Sequence, residues 1–258
     1  MAPHHIWIES SQRPRLGEPS CAVVRFGHGL VAQGRPDPLR TLAWLVDPAG
    51  AKAPLAVRTG DGQTTLLFTP TEPGVYTLLC EYDGKIWSIG RDGRHLRGPR
   101  SEHPGVDIER SIYSYQFAKS LIAVETDRPW PDPLGVELEI VPRPPGREEF
   151  EVAVLYKGQP LTEAPVQAFC PGNGSPHAVC TDARGGARFP LVKGSWMILT
   201  SHSDRQGAAS GQYDERSLTS VLTLELTHLH DGSDLGIGVS LPETPRVRTA
   251  ESRGASSP

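Results

Sequence analysis

The sequence predicts an all-β protein of two sandwich domains joined by a structured connector. Three observations carry that prediction. First, 27 glycines and 25 prolines, about a fifth of the 258 residues, are scattered along the chain. That distribution favours short strands separated by turns over long helices. Second, short apolar runs rich in β-branched and aromatic residues recur between turn signals. Third, Cys21, Trp44 and then Pro73-Gly74-Val75-Tyr76 leading to Cys80 follow the pattern of an immunoglobulin-like sandwich. The Tyr-to-Cys spacing differs from that of antibody domains, so the pattern predicts the architecture alone.

Composition narrows the function classes. Hydrophobic residues make up 37% and charged residues 22%, the balance of a globular rather than a disordered chain. The net charge of −4 and pI near 6.1 give no basic face for nucleic acid. No apolar run approaches the roughly 20 residues of a membrane-spanning helix. Met1-Ala2-Pro3 leads straight into the first strand. A mature exported protein expressed from an added Met would begin this way, with Ala2 as its first native residue. A cytosolic start would look the same.

The first element is the strand Pro3-His4-His5-Ile6-Trp7-Ile8-Glu9. Alternation places His4, Ile6 and Ile8 on one face and His5, Trp7 and Glu9 on the other. Cys21 to Phe26 is the second strand, Thr41 to Val46 the third, Thr64 to Phe68 the fourth and Val75 to Cys80 the fifth. Lys85 to Ile89 reads as a hairpin partner of the fifth across Asp83-Gly84, a strong two-residue turn signal. These strands make an N-terminal domain over 3–95. Residues 96–148 are expected to be a connector with one or two strands. Arg91 to Arg110 is basic and rich in Gly and Pro, hence a long loop. Tyr113, Tyr115 and Phe117 alternate as in a strand, while Tyr113/Phe117 and Phe117/Leu121 are spaced as in a helix; β-rich neighbours favour the strand. Leu134 to Pro142 alternates apolar and acidic residues.

A second sandwich is expected over 149–241. Its strands are Phe150 to Tyr156, Ala164 to Phe169, Ala187 to Leu191, Trp196 to Thr200 and Ser220 to Leu229. Ser203 to Arg216 is a polar loop. The Pro-, Ser- and Arg-rich segment 242–258 is expected to be a disordered tail. Four cysteines allow two intra-domain disulfides, Cys21 with Cys80 and Cys170 with Cys180, in an oxidising compartment. Four buried free thiols are the equal alternative.

No nucleophile elbow, phosphate-binding glycine loop or His-Glu-x-x-His motif is present, so a hydrolase is not indicated. Nine histidines remain. His28 follows the second strand between Gly27 and Gly29. Antiparallel pairing of the first two strands would bring it near His4. His202 ends a strand in Ser201-His202-Ser203-Asp204, His228 and His230 share a face of the last strand, and His95 and His103 lie on the basic loop. Neutral imidazole suits nickel, cobalt, copper and zinc alike. The amino-terminal copper and nickel motif needs a backbone amide that Pro3 lacks.

Several motifs, in order over about residues 4–200, carry a resemblance. They are His4-x-x-Trp7-x-Glu9, Gly27-His28, Lys85-Ile86-Trp87 with Asp92-Gly93, and Tyr115-x-x-Ala118-Lys119. Leu134-Gly135-x-x-Leu138-Glu139-x-x-Pro142, Tyr156-x-Gly158-x-Pro160-Leu161 and Thr181-Asp182-Ala183-x-Gly185 follow. Together they resemble a domain-of-unknown-function family of periplasmic accessory components of nickel and cobalt uptake. That resemblance implies a C-terminal module similar to transthyretin and carboxypeptidase regulatory domains. It also implies an exported, periplasmic, non-catalytic protein that binds Ni²⁺ or Co²⁺ and delivers it to a membrane metal transporter component. No small organic cofactor is implied. The metal role falls on His4 and His28, with His5 and Glu9 as weaker candidates and His103 or His202 closing the site from across the domains. The sequence departs from the family at His5 and in its four cysteines. The alternative is a two-domain surface or scaffolding module binding protein or glycan through aromatics such as Trp130 and Tyr213.

Overall fold

The computed structural model describes residues 4–10, 14–126, 130–144, 148–171, 176–209 and 211–226. The first ten strands are β1 (His5–Ser10), β2 (Ser20–His28), β3 (Val31–Gly34), β4 (Thr41–Val46), β5 (Lys52–Leu55), β6 (Val57–Gly60), β7 (Gln63–Phe68), β8 (Gly74–Gly90), β9 (His95–Arg97) and β10 (Ile108–Val124). The rest are β11 (Leu138–Pro142), β12 (Glu149–Tyr156), β13 (Gln159–Pro160), β14 (Pro165–Phe169), β15 (His177–Cys180), β16 (Gly186–Pro190), β17 (Gly194–Asp204) and β18 (Glu215–Leu226). No α-helix is present among the described residues. His228, His230 and the tail from Pro242 lie outside them.

The strands form three layers. A five-stranded sheet, ordered β1-β2-β7-β6 with β3 on β2, packs on one face of a nine-stranded sheet ordered β15-β14-β17-β18-β10-β8-β4-β5 with β9 on β8. A four-stranded sheet of β11, β12, β13 and β16 packs on the other face. The alternation of β10 feeds both cores. Ala118, Ile122 and Val124 meet Ile6, Ile8, Val24 and Leu66. Phe117 and Leu121, on the opposite face, meet Ile140, Val152 and Val154. The all-β sandwich class predicted from sequence is the one observed. The segment read as a connector contributes a 17-residue strand to the centre of the large sheet, antiparallel to β8 and parallel to β18.

Asp83-Gly84 does not turn the chain. β8 runs straight through it for 17 residues, because β10 offers a continuous partner on both sides of the dipeptide. The turn chemistry is spent on a bulge, with a register shift between Ser114 and Tyr115 of β10. Lys85 takes a left-handed φ of 64°. A Cβ at Gly84 would stand 2.8 Å from the Ser114 carbonyl oxygen, so only glycine allows that approach.

All four cysteines are free thiols. The β14–β15 register sets Cys180 opposite Pro165, five residues from Cys170. That is about 16 Å of strand, well beyond the roughly 7 Å a disulfide can bridge. Cys80 points into the core beneath the five-stranded sheet, and its burial pushes the thiol pKa up.

Two local devices stabilise the layers. Tyr76 is 1% exposed, and its hydroxyl accepts from the Thr71 and Glu72 amides at 3.0 Å each while donating to the Glu72 carbonyl at 3.0 Å. This ties the corner before β8 in the manner of a tyrosine corner. Lys119 of β10 and Glu139 of β11 form a buried ion pair at 2.6 Å, and Glu139 also accepts from the Leu134 and Gly135 amides at 2.9 Å each. Two of the motifs singled out in the sequence therefore meet as one buried polar contact.

Candidate functional site

The site grows from the start of β1. That strand is fixed to the central sheet by Gln116 of β10, which is 4% exposed. Its Oε1 accepts from the Ile6 amide at 2.9 Å, and its Nε2 donates to the His4 carbonyl at 2.9 Å. Thr223 Oγ1 donates to the Ile8 carbonyl at 2.7 Å. Trp7, fully buried, packs on Met197 of β17 and Val221 of β18. An indole of about 150–250 Å² contributes roughly 4–6 kcal/mol at most by area. His4 and His5 are thus held on a strand pinned from both ends.

β2 pairs antiparallel with β1, with His5 opposite Gly27. The chain then reverses through Gly29 and Leu30, whose φ values of 51° and 67° are those of a two-residue type I′ hairpin. A left-handed leucine costs about 1–2 kcal/mol. The Leu30 side chain offsets this by packing on the Trp7, Met197 and Val221 cluster. Gly27 carries the bulge between β2 and β3. A Cβ there would sit 2.1 Å from the Val31 carbonyl oxygen and 2.9 Å from the Gln33 amide. The bulge turns His28 and Gln33 toward His4.

Three imidazoles meet at this end of the sandwich. The His4 and His28 rings lie 4.3 Å apart, and His4 stacks on Phe26 at 4.8 Å. The His5 ring lies 6.1 Å from that of His28, edge to face. Gln33 Oε1 sits 2.9 Å from both His4 Nε2 and His28 Nδ1, so both nitrogens face one point. His5 Nε2 is buried and has no hydrogen-bond partner. Burial first, then the His28 and His4 rings, push the His5 pKa down to about 4. Its neutral form, the one a metal needs, is therefore favoured.

Among the described residues no group of three or more His, Cys, Asp and Glu side chains is placed so that it could hold a metal ion. The amide oxygen of Gln33 occupies the point that His4 and His28 share. Metal–imidazole bonds are about 2.0–2.1 Å, so an ion replacing that oxygen draws each nitrogen in by less than about 1 Å. The His5 ring, 6.1 Å from that of His28, stands with Trp7 on the other face of β1 from His4.

The other sequence candidates fall elsewhere. Glu9 sits further along β1, accepting from Trp7 Nε1 at 2.8 Å and pairing with Arg25 Nε at 2.8 Å. His103 follows the Arg100–Glu102 turn, its Nε2 2.8 Å from the Arg97 carbonyl. His202 faces the four-stranded sheet, its ring 4.4 Å from Tyr156, on the opposite side of the central sheet from His4. Trp130 is half-buried against the C-terminal core, and Tyr213 stacks on Tyr113 at 5.4 Å. Gln33 and Gln116 carry no motif signal; only the pairing of β3 and β10 reveals them.

Fold and site together define a layered β-sandwich protein with a histidine cluster at the start of its first strand. The family model described as Domain of unknown function (DUF4198) matches residues 1–204, and the chain belongs to that family. No curated protein matches the sequence. Among solved structures, a DUF4785 family protein from Legionella pneumophila is 11% identical, with a TM-score of 0.30 over 77% of this chain and 52% of that one. The chain thus spans about half the length of that structure. A two fibronectin type-III domain segment of chicken tenascin is 13% identical, with a TM-score of 0.21 over 82% of this chain and 95% of that one. A segment of Escherichia coli alpha-2-macroglobulin is 10% identical, with a TM-score of 0.24 over 86% of this chain and 97% of that one.

Proposed function

We propose that this protein binds a transition-metal ion, nickel or cobalt, in the periplasm and hands it to a membrane uptake system without a catalytic step. The observation that supports this most is the single amide oxygen shared by His4 Nε2 and His28 Nδ1. Two imidazoles aimed at one point need only exchange a glutamine oxygen for an ion. His5, with its unpaired Nε2 and its ring 6.1 Å from that of His28, supplies a third donor only by a side-chain rearrangement on binding. Gln33, exposed on a four-residue strand, is free to swing aside. The site lies at a rim of the sandwich, with His4 and His28 half-buried, which suits an ion that is passed on rather than kept. The motif resemblance supplies the nickel and cobalt choice and the transporter partner; imidazole donors alone accept zinc and copper too.

Calorimetric titration of Ni²⁺, Co²⁺, Zn²⁺ and Cu²⁺ into chelator-treated protein tests the reading. One-to-one nickel or cobalt binding tighter than about 1 μM is expected. The double variant His4→Ala with His28→Ala should weaken it at least about a hundredfold, the loss of two nitrogen ligands. Binding weaker than about 1 mM for every metal, or unchanged nickel affinity in the double variant, would sink the assignment.

A further inference from the structure

The Asp83-Gly84-Lys85 bulge builds a second feature, which shares no lining residue with the histidine cluster. It opens a cavity of about 340 Å³ lined by Arg40, Gly84, Lys85, Trp87, Arg97 and Gly98, among others. A bulge re-aims side chains, and Lys85 adopts its left-handed φ of 64° there. Backbone strain of this kind persists only where the surroundings impose it. Trp87 forms a rigid wall: its Nε1 donates to the Gly84 carbonyl at 2.9 Å. The opposite wall is tied down by the Gly98 amide on the Ile86 carbonyl at 2.9 Å and by Ser88 Oγ on the Gly98 carbonyl at 2.8 Å.

Three cationic side chains, Arg40, Lys85 and Arg97, line this cavity. Lys85 is paired with Asp83. Arg40 lies 5.0 Å over the Tyr82 ring and gives its Nε to the Asp83 carbonyl at 2.7 Å. Arg97 lies 5.5 Å over the Trp87 ring. Among the described residues neither guanidinium has a carboxylate within salt-bridge distance, whereas nearby Arg91, Arg94, Arg100 and Arg110 each have one. Glu102, which lies against Gly98, is the other acidic neighbour. Two guanidiniums stacked on rings keep their terminal N–H groups for a planar oxyanion. The size falls within the range of small-molecule sites.

We propose that this cavity binds a small organic oxyanion, a carboxylate or a phosphate ester, whose apolar body lies along Trp87. The anionic group sits between Arg40 and Arg97. This site stands apart from the metal reading, and chelator-treated protein tests it alone. The Trp87 indole signal in a ¹H–¹⁵N NMR spectrum, assigned by its loss in Trp87→Phe, is followed during titration with benzoate, phenyl phosphate, inorganic phosphate and benzyl alcohol. A saturating shift with benzoate or phenyl phosphate at a Kd below about 1 mM is expected, and whichever binds tighter names the anionic group. Arg97→Gln, an exposed change that leaves the fold intact, should weaken binding about tenfold or more. No saturating shift from either aromatic anion by about 10 mM would overturn the proposal. So would equal binding of benzyl alcohol or inorganic phosphate, or full affinity in Arg97→Gln.

Discussion

At the residue scale, His5 lies beside two other imidazoles with its Nε2 buried and unpaired. A proton placed there is both desolvated and repelled. The free imidazole protonates near 6.5, the folded one only near 4. Above 6.5 both states are neutral and the full stability is present. As pH falls from 6.5 through 4, the unfolded chain takes up a proton that the fold refuses. Stability then drops, by about 3 kcal/mol in all. Urea midpoints of metal-free protein measured above and below that window should show the loss, and His5→Asn should remove most of it. An unchanged pH slope in that variant would place the acid sensitivity elsewhere. The sequence put His4, His5 and His28 within reach of one another through strand pairing alone. It could not show that Gln33 sits between two of them, because glutamine has no spacing rule that marks it.

At the scale of the element, the β2–β3 hairpin decides where His28 points. Its type I′ turn is legible in part, since Gly29 invites a positive φ. The left-handed Leu30 is not, because only packing on Trp7 makes it affordable. Gly27→Ala should force the Val31 carbonyl aside, destabilise the protein by about 1–3 kcal/mol and cut nickel affinity at least about tenfold as the shared point is lost. Gly60→Ala, where nothing lies within 4 Å of the added carbon, is the control and should change stability by less than about 0.5 kcal/mol. Equal effects from the two substitutions would remove the bulge from the account. The Asp83-Gly84 pair shows the converse. Its local signal is that of a hairpin, yet the ladder with β10 on both sides holds the strand straight. Long-range pairing outweighs a turn preference whenever a continuous partner exists.

At the scale of the whole molecule, β10 belongs to both cores, and β1 reaches β17 and β18 through Trp7. Neither half can open without exposing apolar surface that the other shares. Unfolding in urea should therefore be a single transition, with near-ultraviolet circular dichroism and tryptophan fluorescence changing together. Two separated transitions would show that the halves are energetically independent despite the shared strand. The layering also explains why His202 and His4 do not meet. They lie on opposite faces of the central sheet, and no local pattern says which face of a shared strand receives which layer.

The sequence by itself determined the all-β class, most strand positions and the pairing that brings His28 to the first strand. Those follow from period-two alternation and turn chemistry, which act over a few residues. The tertiary structure alone decided that one sheet serves two sandwiches and that the cysteines stand apart as free thiols. It also decided that Gln116 pins the site, Gln33 bridges it, and two arginines face an apolar cavity. These depend on contacts between residues as far as 215 positions apart, and such contacts are set by which surfaces bury one another rather than by any local preference of the chain.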